Sequence, residues 1–274
     1  MVSKFQRILK SCGLKKNGID VKKINPFFGA KIISGLNLKN ITYVEKIQLK
    51  SLLKEKGMLV IPSHRILSEK EQVKLTSIFG TTDKKISYIS QHTNINNSSV
   101  TNDKVYLSSP LWHCDDPYLK SPPHISIFQM LEGKNQNWGT DFISLYQVCT
   151  TISEAFKKKW VGINIMYSGN DVTHPLLHIH PYTGKQSLYF DFRFAKEVFN
   201  FCKSSGEILL VNSNVIVSKL NELFSEHTSI YNHKWCSGDI VIIDNYAISR
   251  RETTKPDYIN NSIIRRTTTK GVYF

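Results

Sequence analysis

WCSGDIVIIDNYAISRR, residues 235–251, is the stretch that decides the architecture. Ser237-Gly238-Asp239 reads as a tight turn, Ile240 to Ile243 as an unbroken apolar run, and Asp244-Asn245 as a polar exit. An apolar run that short, bounded by turn residues and without alternation, belongs to a strand covered on both faces. Working outward, similar short runs recur at Lys85–Gln91, His124–Met130, Val161–Met166 and Gln186–Phe190, separated by Pro, Gly and Asn. Helical patterns interrupt them at Tyr146–Lys158 and Val215–Ser225. Upstream, Gly29–Leu38 reads as a strand and turn. Residues Thr42–Lys56 carry Val44, Ile47, Leu49, Leu52 and Leu53 around a helix that Gly57 stops before the strand MLVIP. Ser68 and Glu71 form a capping box that opens a further helix ending at Gly80. Many short strands with a few flanking helices predict a mainly β protein, a double-sheet jelly roll rather than alternating βαβ units. No linker divides it, so a basic extension over 1–27, with a short amphipathic helix around Phe5, Ile8 and Leu9, precedes one domain over 28–274.

Composition sets the outer limits. The 274 residues are 41% hydrophobic, enough for a real core, and no apolar run approaches the roughly 18 residues a membrane helix needs. The first residues are basic but lack the apolar stretch of a secretory signal, so a cytoplasmic protein is expected. Five cysteines, odd in number and widely spaced, predict reduced, mostly buried thiols rather than a disulfide framework. The formal charge of +14 is concentrated at the two ends of the chain. Such a field draws anions, whether a carboxylate, a phosphate or a nucleic-acid backbone, although a Lys-, Asn- and Ile-rich genome would give the same excess.

Three segments can carry chemistry. In LWHCDD (111–116), extended backbone projects His113 and Asp115 to one side, where an imidazole and a carboxylate supply two-thirds of the facial triad that holds non-haem Fe(II). In HPLLHIHPYTGKQSLYFDF (174–192), the three histidines suggest a metal, but the prolines and the turn at Tyr182–Lys185 read more simply as strand, turn and returning strand. In the opening stretch, the polar strand end followed by Arg250 and Arg251 could line an anion pocket.

The order of these landmarks, from GAKIISGLNL through KEKGMLVIP, LWHCDDPYLKSPP, WGTDFISLY, HPLLHIHPYTGK and WCSGDIVIIDN to RRTTTKG, resembles the TauD/TfdA family, the taurine dioxygenase type of Fe(II)- and 2-oxoglutarate-dependent oxygenases. The resemblance covers roughly residues 28–271 and implies a double-stranded β-helix with iron at its open end. It makes His113 and Asp115 the first two iron ligands and the catalytic pair, within a W-H-x-D pattern. It puts Thr140 on the 2-oxoglutarate carboxylate and Arg266 opposite an acidic group of the substrate. Two positions depart from the family pattern. The third ligand should be a histidine about six residues after Asp244-Asn245, where Arg250 or Arg251 stands, and the arginine for 2-oxoglutarate should stand at Ser262, with Arg265 the nearest substitute.

Three functions follow. The leading expectation is an oxygenase, with Fe(II) and 2-oxoglutarate as cofactors, acting on a small anionic or amino-acid-like metabolite. His113 and Asp115 bind the metal, Thr140 and Arg265 the cosubstrate, and Arg250, Arg251 and Arg266 the substrate, which enters over Asn94–Asp103. His92, His178 or His180 would have to complete the iron shell. The second is a pseudoenzyme or anion-binding module that has lost the metal, marked by an arginine–aspartate pair across the pocket. The third, a nucleic-acid-associated protein, lacks any aromatic-interleaved basic stretch or helix-turn-helix pattern. No membrane partner is expected, and a homo-oligomer is left open.

Overall fold

The computed structural model describes residues 18–62, 64–83, 86–90, 104–107, 109–132, 139–169, 171–202, 206–253 and 262–272. Its backbone is an eight-stranded sheet, ordered β1 (Asp20–Lys23), β2 (Ala30–Ser34), β3 (Met58–Ile61), β15 (Ile240–Asp244), β6 (Ile125–Glu132), β17 (Ile263–Thr268), β4 (Ser87–Ser90) and β5 (Lys104–Leu107). A three-stranded sheet of β14 (Tyr231–Lys234), β7 (Gly139–Ser144) and β16 (Ile248–Glu252) packs against it, and a four-stranded sheet of β13 (Glu207–Leu210), β12 (Ala195–Cys202), β8 (Ile163–Tyr167) and β9 (Val172–Pro175) packs in a second core with Ile143 of β7. A small hairpin joins β10 (Leu177–Ile179) to β11 (Gln186–Leu188). This is a mainly β double-stranded β-helix.

The apolar run of β15 is buried on both faces, as its lack of alternation requires. Ile240 and Ile242 pack with Leu49, Leu53 and Leu75 of two outer helices, α1 (Tyr43–Lys56) and α2 (Glu69–Thr76). Val241 and Ile243 face inward against Phe128, Phe142 and Ile248. The period-2 rule divides the neighbouring strand in the same way: Ser126, Phe128 and Met130 line the barrel, while Ile127 and Gln129 lie beneath the helices. Both outer helices begin where the sequence places them. Thr42 with Glu45, and Ser68 with Glu71, form reciprocal capping boxes. Gly57 closes α1 at φ 70°, donating its N–H to Leu53 O.

Several boundaries shift. The single helix expected at Tyr146–Lys158 is two, α3 (Leu145–Thr151) and α4 (Glu154–Trp160), because Ser153 caps a new start by accepting from Phe156 N–H. α2 ends at Thr76 rather than Gly80, and the last predicted helix spans Ser213–Ser225. The chain enters the main sheet at Asp20, pairing antiparallel with β2, so the extension is shorter than the 27 residues expected. Its amphipathic segment lies outside the described residues. Cys114 and Cys149 are buried free thiols and Cys236 is partly buried. Among the described residues, no helix is long and apolar enough to cross a membrane.

Candidate functional site

His113 is tied to β16 by a two-way backbone bridge: its N–H donates to Arg250 O at 2.9 Å and Arg250 N–H returns to His113 O at 3.0 Å. Residues paired in this way project to the same face, which sets the two side chains next to each other. Asn245 holds the following turn. Its Oδ1 accepts from Asp115 N–H at 2.7 Å, and its Nδ2 donates to Asp115 O at 3.1 Å and Pro123 O at 2.9 Å. The Asp-Asn exit read from the sequence is therefore a clamp on the His113–Asp115 segment.

Asp115 is buried and heavily claimed. Arg250 Nη2 lies 3.0 Å and Arg266 Nη1 3.2 Å from Oδ1, while Ser126 Oγ donates to Oδ2 at 2.5 Å. Burial alone would raise this carboxyl, but the guanidiniums of Arg266 and Arg250 hold it far below the usual carboxylate range. The network continues from Arg250 Nη1 to Glu252 Oε1 at 3.0 Å. Thr140 Oγ1 donates to Glu252 Oε2 at 2.7 Å and accepts from Trp235 Nε1 at 2.7 Å. Arg266 also reaches Asp116 at 3.0 Å and Ser87 Oγ at 2.8 Å. The Arg250 guanidinium lies 4.8 Å over the Phe128 ring, and its Nε–H has no acceptor among the described residues.

His113 is neutral: burial, then the positive charges of Arg193 and Arg250, push it well below the ordinary imidazole range. Its Nδ1 lies 2.7 Å from Leu111 O, and since a carbonyl only accepts, Nδ1 carries the hydrogen and Nε2 keeps the lone pair. His113, Asp115, Arg193, Arg250 and Arg266 help line a pocket of about 20 Å³, room for roughly one water or one oxygen of a ligand's anionic group.

The expected residues separate into two groups. His113, Asp115, Arg250 and Arg266 converge, and Thr140 joins them through Glu252. Arg251 does not: it follows Arg250 on β16, points to the opposite face, pairs with Asp141 at 3.1 Å and lies 4.6 Å over the Trp112 ring. Arg265 does not either. It alternates with Arg266 and turns to the helix side, donating to Gln72 Oε1 at 2.7 Å, to Leu67 O and to Gln129 Oε1 at 3.2 Å. The expectations that Arg265 holds a cosubstrate and Arg251 a substrate are corrected by that alternation. Arg193 was missed. It bonds to Asp191 at 2.8 Å and Cys114 O at 2.9 Å, and its one sequence signal was a charged Asp-x-Arg pair inside the aromatic run FDFRF (190–194).

These residues do not fit iron. Two positions, His113 and Asp115, have ligand chemistry, but the third holds a guanidinium, which has no lone pair to give and repels a dication. His180 cannot complete the shell because it is bonded to Asp244, and His178 packs against Tyr189. His92 and the entry loop at 94–103 lie outside the described residues.

A second His–Asp group was also missed. His124 Nε2 and His180 Nε2 lie 3.3 and 3.0 Å from Asp244 Oδ2, at metal-ligand spacing. The turn Tyr182–Lys185 settles its chemistry: Tyr182 and Thr183 N–H both donate to His180 Nδ1 at 3.2 Å. That leaves the hydrogen on Nε2, aimed at Asp244, so this is a hydrogen-bonded brace with no lone pair on that nitrogen for a metal. The two imidazole hydrogen bonds outweigh burial and lower Asp244 to about 2.

The family model "Taurine catabolism dioxygenase TauD, TfdA family" matches residues 20–249. Among curated relatives, an alpha-ketoglutarate-dependent sulfonate dioxygenase of Saccharomyces cerevisiae is 23% identical over 259 residues, 83% of this chain and 61% of its own length. The (S)-phenoxypropionate/alpha-ketoglutarate-dioxygenase of Sphingobium herbicidovorans is 22% identical over 265 residues, 85% of this chain and 89% of its own. The chain thus spans about three-fifths of the length of the yeast relative. A crystal structure of a taurine dioxygenase from Burkholderia xenovorans shares the fold at a TM-score of 0.75, with 19% identity over 93% of this chain and 92% of that one. With the family model covering most of the described β-helix, the chain belongs to the TauD/TfdA dioxygenase family.

Proposed function

We propose that this protein binds a small organic anion, a sulfonate or carboxylate, on the dioxygenase scaffold without iron-dependent oxidation. The observation that carries this reading is the Arg250 guanidinium 3.0 Å from Asp115, at the position expected to hold the third metal ligand. It sets a fixed cation where a mobile one would bind. It also leaves a buried Nε–H unclaimed beside a pocket lined by two further arginines. Buried donors without acceptors are rare and costly, so an incoming oxygen atom has a partner waiting. The relatives' names supply the ligand class: one is called a sulfonate and another a phenoxypropionate dioxygenase.

Calorimetric titration of the EDTA-treated protein with aminoethanesulfonate, a phenoxy acid and 2-oxoglutarate tests this. At least one should bind equally with or without Fe(II), and Arg266→Met should weaken it by roughly tenfold or more, the loss of a charged hydrogen bond. Absence of binding by any of the three would refute the proposal.

A second reading, oxidation of the same anion with Fe(II) and 2-oxoglutarate, is favoured by the retained W-H-x-D segment and the lone pair on His113 Nε2. It requires Arg250 to leave Asp115. Oxygen uptake that depends on 2-oxoglutarate and disappears in His113→Ala would select it over the first.

A further inference from the structure

We infer that Arg250 is a built-in cation standing in for the metal, and that one substitution, Arg250→His, rebuilds a divalent metal site at this position. The inference concerns the metal position and holds whichever anion the pocket takes.

Two side chains with ligand chemistry are in place beside residue 250, with Arg266 at 3.2 Å and Ser126 at 2.5 Å also on the Asp115 carboxylate. The tautomer of His113 is set by Leu111 O, which directs the Nε2 lone pair away from the backbone, as a second-sphere carbonyl does for metal-bound histidines. Asp115 is anchored by Asn245 and Ser126. The two-way bridge between residues 113 and 250 presents the side chain at 250 on the same face as His113. An imidazole there would complete two nitrogens and a carboxylate around one point, the facial set that suits divalent first-row metals.

The charges around Arg250 match a cation. Its two amino groups divide between Asp115 and Glu252, each at 3.0 Å, and Phe128 presents its ring face to the guanidinium. Glu252 sits two residues along the same strand face, where it takes the second amino group of Arg250. In Arg250→His, Glu252 keeps its bond from Thr140, and Arg266 keeps its second carboxylate, Asp116. The double variant Arg250→His/Glu252→Gln removes the carboxylate that the single change leaves short of a partner.

Anaerobic titration with Co(II) alone, followed by its visible absorption and by metal analysis after desalting, tests the assignment on the full chain. Wild type should retain none, Arg250→His or its double variant one equivalent, and Arg250→His/His113→Ala none. Melting of each protein reports folding, and Co(II) should raise the melting temperature of the binding variant alone. One equivalent in wild type that His113→Ala abolishes would overturn the inference. So would two folded histidine variants that both retain no Co(II).

Discussion

Two histidine–carboxylate groups lie in this barrel, and each lacks what the other has. Around Asp115, the neighbouring His113 has the right tautomer for a metal, but guanidiniums claim the carboxylate. Around Asp244, two imidazoles stand at metal-ligand distance, but the backbone N–H groups of Tyr182 and Thr183 fix the hydrogen of His180 on the nitrogen that faces the carboxylate. Residue type and spacing are satisfied in the second group and nearly so in the first. What separates both from a metal site is which atoms already own the lone pairs.

The largest expected break in this comparison is Arg250→Ala. Removing the guanidinium leaves Asp115 and Glu252 buried with fewer partners, and loss of one member of a buried ion pair costs about 3–5 kcal/mol. Urea unfolding would read this as a lowered midpoint with an unchanged slope. If stability is unaffected, the pair does not close the site. Next is Asp244→Asn in the imidazole-braced group. An amide oxygen in place of Oδ2 can still accept from both histidines, but its NH₂ then faces the Tyr246 N–H that Oδ1 accepts from, so about 2–3 kcal/mol should be lost. A loss as large as that at Arg250 would mean that the two carboxylates are equally committed.

Acid sharpens the contrast further. His113 and His178 are both buried and neutral; burial and then His180 lower His178 to about 3. Since the unfolded chain binds protons near pH 6.5 and the folded histidines do not, stability is complete above that pH and falls as pH drops toward the folded values. Each such histidine should cost roughly 1 kcal/mol per pH unit below about 6.5, measurable by denaturant midpoints at pH 7.0 and 5.5. The smallest effect belongs to Arg251→Ala. Its pair with Asp141 is a third exposed, and its loss, with the contact over Trp112, should stay within about 1 kcal/mol and leave anion binding intact.

Much of the scaffold is visible in local patterns. Thr42 with Glu45 and Ser68 with Glu71 announce helix starts because capping involves residues three apart. Gly57 announces a stop because it alone tolerates φ 70° cheaply. The unbroken run Ile240–Ile243 announces a strand covered on both faces. The break at Ser153 was missed because the apolar spacing of Tyr146–Lys158 continues through it, while the cap that restarts the helix depends on one hydroxyl.

The site was legible as a neighbourhood rather than as a set of bonds. The sequence alone determined that His113 and Asp115 share a face, that Asp244-Asn245 ends a buried strand, and that an arginine stands where a third metal ligand would. The first two are consequences of strand alternation and chain order, and the third is what the resemblance to the family implies. Only the tertiary structure decided that Arg250 points inward to Asp115 while Arg251 points out to Asp141, that Arg266 rather than Arg265 enters the site, and that His180 bonds Asp244 through a hydrogen. The physical reason is that strand pairing sets which face each arginine occupies, and the folded turns beside His113 and His180 aim a carbonyl or N–H two or three residues away at one ring nitrogen, which sets where the lone pair stays.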